Sequence, residues 1–162
     1  MTRTLSGYAL ALAVLIADQW SKAWILALPD GAAPALPGPV QLTLVHNTGI
    51  SYGLLQGGGG FGRWGLAAFA LAVAAGLAVW VARSTRLYTA IAVGLILGGA
   101  LGNAADRILH GAVVDFIDVR ALAFPWIFNI ADSAISVGIV LLLAEGLFPQ
   151  KASPDTSERP KR

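Results

Sequence analysis

Four blocks of this chain carry almost no charge, and each is long enough to cross a bilayer. They run from Leu5 to Leu28, Trp64 to Ala82, Leu87 to Ala105 and Trp126 to Phe148. About 20 helical residues span the hydrocarbon core at ~1.5 Å per residue. Unpaired backbone N–H and C=O groups are too costly in lipid, so each block must be a helix. Composition agrees: 56% of the 162 residues are hydrophobic and only 12% are charged, against about 25% charged in an average soluble domain. The expected fold is an α-helical integral membrane protein with four transmembrane helices. Residues 1–149 read as a single membrane-embedded domain, and residues 150–162, polar and containing Pro154 and Pro160, as a disordered tail. The chain has no cysteine, which excludes disulfides, zinc–thiolate sites, iron–sulfur clusters and a cysteine nucleophile. A net charge of +2 gives no reason to expect a nucleic-acid partner.

An even number of spans puts both termini on one side. Arg3, Arg83, Arg86, Lys151, Arg159, Lys161 and Arg162 then share that side, while Lys22, Arg63, Arg107 and Arg120 lie toward the other. The positive-inside rule predicts cytoplasmic termini. A cleaved signal peptide ending near Ala32 to Ala35 is a weaker reading, because the first block is too long for a signal core and holds an ionisable pair. Ser84 to Arg86 is a tight link, whereas Pro29 to Arg63 is a long outer segment. Val40 to Val45 alternates like a strand, Asn47-Thr48-Gly49 signals a turn, and Ile50 to Leu55 suits a returning strand. A small outer β-sheet over about residues 40–56 is therefore expected, followed by a glycine hinge at Gly57 to Gly60.

Ionisable groups in a span cost about 2.5–3.5 kcal/mol each on insertion scales, so they mark function by default. Here they converge on one boundary. Asp18 and Lys22 lie in the outer half of the first helix, spaced i,i+4 so that they can pair. Asn103, Asp106 and Arg107 end the third helix, Asp115 and Asp118 follow in the outer loop, and Asn129, Asp132, Ser133 and Ser136 open the fourth. Glu145, at the other end, reads as interfacial. Each has a plain alternative. Asp18 and Lys22 are more readily a self-neutralising structural pair than catalysts. Arg107 reads as an orienting group. Asp106, at a helix C-terminus, opposes the macrodipole and needs a partner, while Asp132 suits the dipole at a helix start.

The two histidines, His46 and His110, fall in outer loops without metal-ligand spacing, so no metal is expected. His110 with Ser51 or Ser133 lacks a nucleophile-elbow sequence, and the adjacent Ser21 and Lys22 point to different helix faces. Carboxylates are the best-supplied chemistry. Two carboxyls sharing a proton can activate water and protonate a leaving amine, with neither metal nor thiol.

Four stretches also resemble a known family. These are Asp18-Gln19-Trp20-Ser21-Lys22, Asn47 to Gly53, Gly98 to Ile117 and Phe128-Asn129-Ile130-Ala131-Asp132-Ser133. In this order they resemble the prolipoprotein signal peptidases (signal peptidase II), bacterial inner-membrane aspartic proteases with four spans and both termini in the cytoplasm. The resemblance covers about residues 5 to 148. It implies that Asp115 and Asp132 are the catalytic dyad. Asp106, attractive from helix spacing, would instead order the site with Arg107. Asn47, Gly49, Asn103, Arg107, Asn129 and Ala131 would position substrate and dyad, and Asp18 with Lys22 would be a structural pair. Ile50, Ser51 and Tyr52 depart from the Ala and Phe often found there. The implied substrate is a prolipoprotein with a diacylglyceryl-modified cysteine, cut on the N-terminal side of that cysteine. The implied site opens into the membrane near its periplasmic face, and the protein works as a monomer among membrane lipids without a cofactor. Two other classes fit less well. A transporter should carry polar residues through the full membrane depth, or an inverted repeat, and neither is present. A structural subunit has no need of two carboxyls beside one cleft.

Overall fold

The structure, a computed structural model, describes residues 2–29, 33–49 and 59–147. In chain order the elements are α1 (Thr2–Leu26), β1 (Gln41–Asn47), α2 (Gly59–Arg83), α3 (Leu87–Leu109), β2 (Val113–Asp118), a 3₁₀ turn (Arg120–Leu122), β3 (Ile127–Phe128) and α4 (Ile130–Leu147). All four helices are long and apolar enough to cross a membrane. Their outward faces carry large bare side chains such as Phe69, Val79, Val140 and Leu143. Water would penalise such a surface, while lipid tails solvate it.

The third helix is the centre of the bundle and packs on each of the other three. It can do so because its contact faces are built from small residues. A Cβ added at Gly98 would lie 2.5 Å from the Ala11 carbonyl oxygen of α1, and one at Gly99 would strike the Ala131 carbonyl oxygen of α4. Around the Gly98 contact Ala11, Ala74, Leu77, Val81, Val93, Leu97 and Ala100 form one buried cluster across α1, α2 and α3.

Beyond the helix ends lies an antiparallel sheet in the order β1-β2-β3. Gln41 pairs with Asp118 and Asn47 with Val113, with an irregularity between Leu42 and Val45. Ile117 pairs with Phe128. Ile25, Val114 and Phe116 form a second buried cluster that fixes the sheet against the end of α1.

The first strand of the expected outer sheet is present. Its partner among the described residues is β2, in a stretch expected to be a loop. The expected returning strand, Ile50 to Leu55, and the tail 150–162 lie outside the described residues. Gly59 and Gly60 of the expected hinge belong to α2. The fourth helix starts at Ile130 rather than Trp126. Pro125 favours extended backbone before it, Ile127 and Phe128 go to β3, and Asn129 caps the helix by accepting from the Asp132 amide at 2.9 Å. The third helix runs on to Leu109, four residues past the expected end at Ala105.

Candidate active site

The convergence of polar groups rests on a buried ion cluster. Lys22 Nζ lies 2.7 Å from Asp18 Oδ2 and 2.8 Å from Asp106 Oδ2. All three residues are buried, Lys22 at 2% exposure and both aspartates at 0%. Buried charges persist only when paired and fully hydrogen-bonded, and here each remaining acceptor is used. Asp18 Oδ1 accepts from the Ala131 amide at 2.9 Å, and Asp106 Oδ2 from the Val114 amide at 2.9 Å. Gln19 Nε2 donates to Asp106 Oδ1 at 2.8 Å. One end of the cluster therefore grips the residue before Asp132, and the other grips the residue before Asp115. The expected Asp18–Lys22 pair is present, and Asp106 has found its partner on another helix.

Asp115, in β2, accepts from Asn129 Nδ2 at 2.7 Å and from Asn47 Nδ2 at 3.1 Å. Asp132, in the first turn of α4, accepts from Asn103 Nδ2 at 2.7 Å. The two asparagines meet, Asn129 Nδ2 donating to Asn103 Oδ1 at 3.2 Å, and Lys22 Nζ donates to that same oxygen at 3.3 Å. Asn129 thus touches the Asp115 carboxylate with its amide nitrogen and the Asp132 backbone with its amide oxygen. Burial, opposed by the Asn47 hydrogen bond and reinforced by the nearby Asp132 charge, pushes the Asp115 carboxyl up to about 6. Asp118, on the same strand, is held well below the usual carboxylate range by hydrogen bonds from Arg120. One strand thus carries an acid that holds its proton up to about pH 6 and one that ionises far below that.

Arg107 donates to the Asn103 carbonyl at 3.1 Å and to the Gly49 carbonyl at 3.5 Å. Gly49 is itself held by a turn in which its amide donates to Asn47 Oδ1 at 3.1 Å. Asn47, Gly49, Asn103, Asp106, Arg107, Asn129 and Ala131 are therefore all joined to one network with Asp115 and Asp132. Two members escaped the sequence reading. Gln19 bonds Asp106, and its only signal was a further polar side chain inside a span. Arg63 donates to the Arg107 and Ile108 carbonyls at 2.7 and 2.5 Å, which satisfies carbonyls left open at the end of α3. Ser133 donates to the Asn129 carbonyl at 3.0 Å, and His46 and His110 lie in β1 and at the C-cap of α3.

Known proteins share this architecture. A bacterial membrane enzyme solved by the in meso method at 2.3 Å superposes with a TM-score of 0.74 at 29% identity, covering 96% of this chain and 94% of that one. A second, solved at 1.9 Å, gives 0.74 at 30% identity over 89% and 93%. The lipoprotein signal peptidase of Caulobacter vibrioides is 51% identical over 89% of this chain and 88% of its own length. That of Methylorubrum extorquens is 43% identical over 96% and 94%. The sequence profile described as signal peptidase (SPase) II matches residues 10–148. With four apolar spans, a three-stranded sheet at one end and a carboxylate network between them, this multi-pass membrane protein belongs to the signal peptidase II family.

Proposed function

We propose that this chain is a membrane aspartic endopeptidase of bacterial lipoprotein maturation, with Asp115 and Asp132 as its catalytic pair. The observation that carries this reading is a bridge of two side-chain amides. Asn129 and Asn103, hydrogen-bonded to each other, join the Asp115 carboxyl of β2 to the Asp132 carboxyl of α4. In the active form one proton is shared between them. The ionised carboxylate takes a proton from water as the water attacks the scissile carbonyl, and the neutral acid donates a hydrogen bond to that carbonyl. The proton then passes to the leaving amine, and the pair is restored. Arg107, Asn47 and the Gly49 carbonyl frame the site and orient the substrate backbone.

The substrate is a prolipoprotein whose cysteine carries a diacylglyceryl group, cut on the N-terminal side of that cysteine. The names of the relatives support this choice, as does the site's position where apolar spans give way to the sheet. A lipid-bearing chain stays in the bilayer and reaches such a site sideways. Residues 1–149 act as one membrane-embedded domain and as a monomer, with both termini cytoplasmic and the site near the periplasmic face of the inner membrane. The test is cleavage of a lipidated prolipoprotein by the purified chain. Asp132→Asn and Asp115→Asn should each reduce kcat by at least about a hundredfold, the lower range for losing acid–base catalysis, while the melting temperature shows a folded protein. Either variant retaining a tenth or more of wild-type kcat overturns the pairing.

A further inference from the structure

At the end of the bundle away from the candidate site, the turn between α2 and α3 borders a wide-open cavity of about 550 Å³. Trp80, Arg83, Arg86 and Thr89 line one side, and Leu142 and Glu145 of α4 line the other. The charges are unevenly committed. Glu145 accepts from Arg86 at 3.2 Å and from Thr89 at 2.8 and 3.0 Å. Arg83 has no ion pair among the described residues. Arg3 of α1 donates to the Thr85 carbonyl at the rim. Two guanidinium groups and one carboxylate thus line the cavity, and a third guanidinium is anchored at its rim. Their depth is set by the spans, because α2 ends at Arg83 and α3 begins at Leu87. Trp80, Tyr8 and Tyr88 are all partly exposed at this level, where amphipathic rings mark the headgroup boundary. Elsewhere on α4 the side chains of Leu143 and Val140 are 62% and 63% exposed, an apolar surface suited to acyl chains.

We propose that this cavity binds one anionic glycerophospholipid. Its phosphate diester is held by Arg83, with Arg86 and Arg3 adding charge, Trp80 lies against the glycerol, and the acyl chains leave past Leu142 along α4. Basic pockets between spans recognise anionic headgroups in this way. A free phosphate would meet the same arginines without using the apolar wall. The proposal is independent of the catalytic reading, since no residue of the cavity touches the carboxylate network.

The test is native mass spectrometry of the full-length protein released from a neutral detergent. It is titrated separately with phosphatidylglycerol, phosphatidylethanolamine and inorganic phosphate. Phosphatidylglycerol should be retained about fivefold or more over phosphatidylethanolamine, the effect of roughly one interfacial arginine. Arg83→Gln should remove about that preference, and Arg83→Lys should keep most of it. Glu145→Gln, which removes the carboxylate competing for Arg86, should tighten phosphatidylglycerol about fivefold and decides the matter if Arg83→Gln does not fold. Equal retention of the two lipids overturns the proposal and leaves the arginines as topology signals alone. So does an unchanged affinity in both Arg83→Gln and Glu145→Gln. Displacement of phosphatidylglycerol by an equal concentration of inorganic phosphate identifies a free-anion site instead, which also overturns it.

Discussion

Asp115 and Lys22 make the sharpest demands on single side chains. The Asp115 carboxyl, raised by burial to about 6, binds its proton more tightly in the folded chain than in the unfolded one. Its contribution to stability is therefore full below the ordinary carboxylate value and is lost as pH rises through about 6. Asp115→Asn has no such loss, so its melting temperature should gain on that of the wild type between about pH 4 and pH 7. A difference that stays flat over that interval would show that Asp115 ionises freely. On the proposed pairing, the pH profile of kcat/KM should be bell-shaped, its two limbs belonging to Asp115 and Asp132 as a unit and its alkaline midpoint near 6. Lys22 tests the ion cluster. Lys22→Met leaves Asp18 and Asp106 buried without their cation, and should cost about 3–5 kcal/mol as read by denaturation in detergent. A loss under ~1 kcal/mol would mean that the backbone amides of Ala131 and Val114 suffice. Much of this site was legible residue by residue. The i,i+4 spacing gave the Asp18–Lys22 pair, and the crowding of polar groups at one boundary gave the region. The choice of Asp115 over Asp106 came from family resemblance, because the contact that commits Asp106 to Lys22 joins two different helices and has no local spacing to announce it.

The elements are held apart by less than a methyl group in places. Gly99 lets α3 lie directly on the first turn of α4, where a Cβ would strike the Ala131 carbonyl oxygen and sit 2.7 Å from Ile135 Cγ1. Gly99→Ala should therefore destabilise by about 1–3 kcal/mol through overpacking. It should also lower kcat more than it raises KM, since the displaced turn carries Asp132. Gly65→Ala is the control: nothing lies within 4 Å of that position, and the change should be neutral or slightly stabilising in a helix. Equal stabilities for the two variants would contradict the close approach. Charge-free runs with a helix-long reach fixed the helices. The second strand stayed hidden because Val113 to Asp118 is buried along nearly its whole length, so it shows no alternation. Its main partner β1 precedes it by a helix pair. Asn129 explains why the fourth span began late: an apolar run does not distinguish strand from helix, and the cap that divides them acts through a single side chain.

Across the whole molecule, charge asymmetry predicts orientation. A reporter fused after Arg86 should read cytoplasmic, and one inserted at Ala123, in the exposed turn after Arg120–Leu122, should read external. The reverse result would place the carboxylate network on the wrong side of the membrane for an exported substrate. The ion cluster also bears on how such a protein is made. The first helix reaches the membrane before the third has been synthesised, and it brings a lysine and an aspartate with it. Because those two already neutralise one another within a single helix, 2.7 Å apart, the segment can enter lipid without waiting for Asp106. The later helices then complete the cluster, and only the last to arrive supplies Asp132 and the Ala131 amide that Asp18 accepts. On the proposed pairing, a chain whose last span has not yet joined the bundle lacks Asp132 beside Asp115 and should therefore be inert.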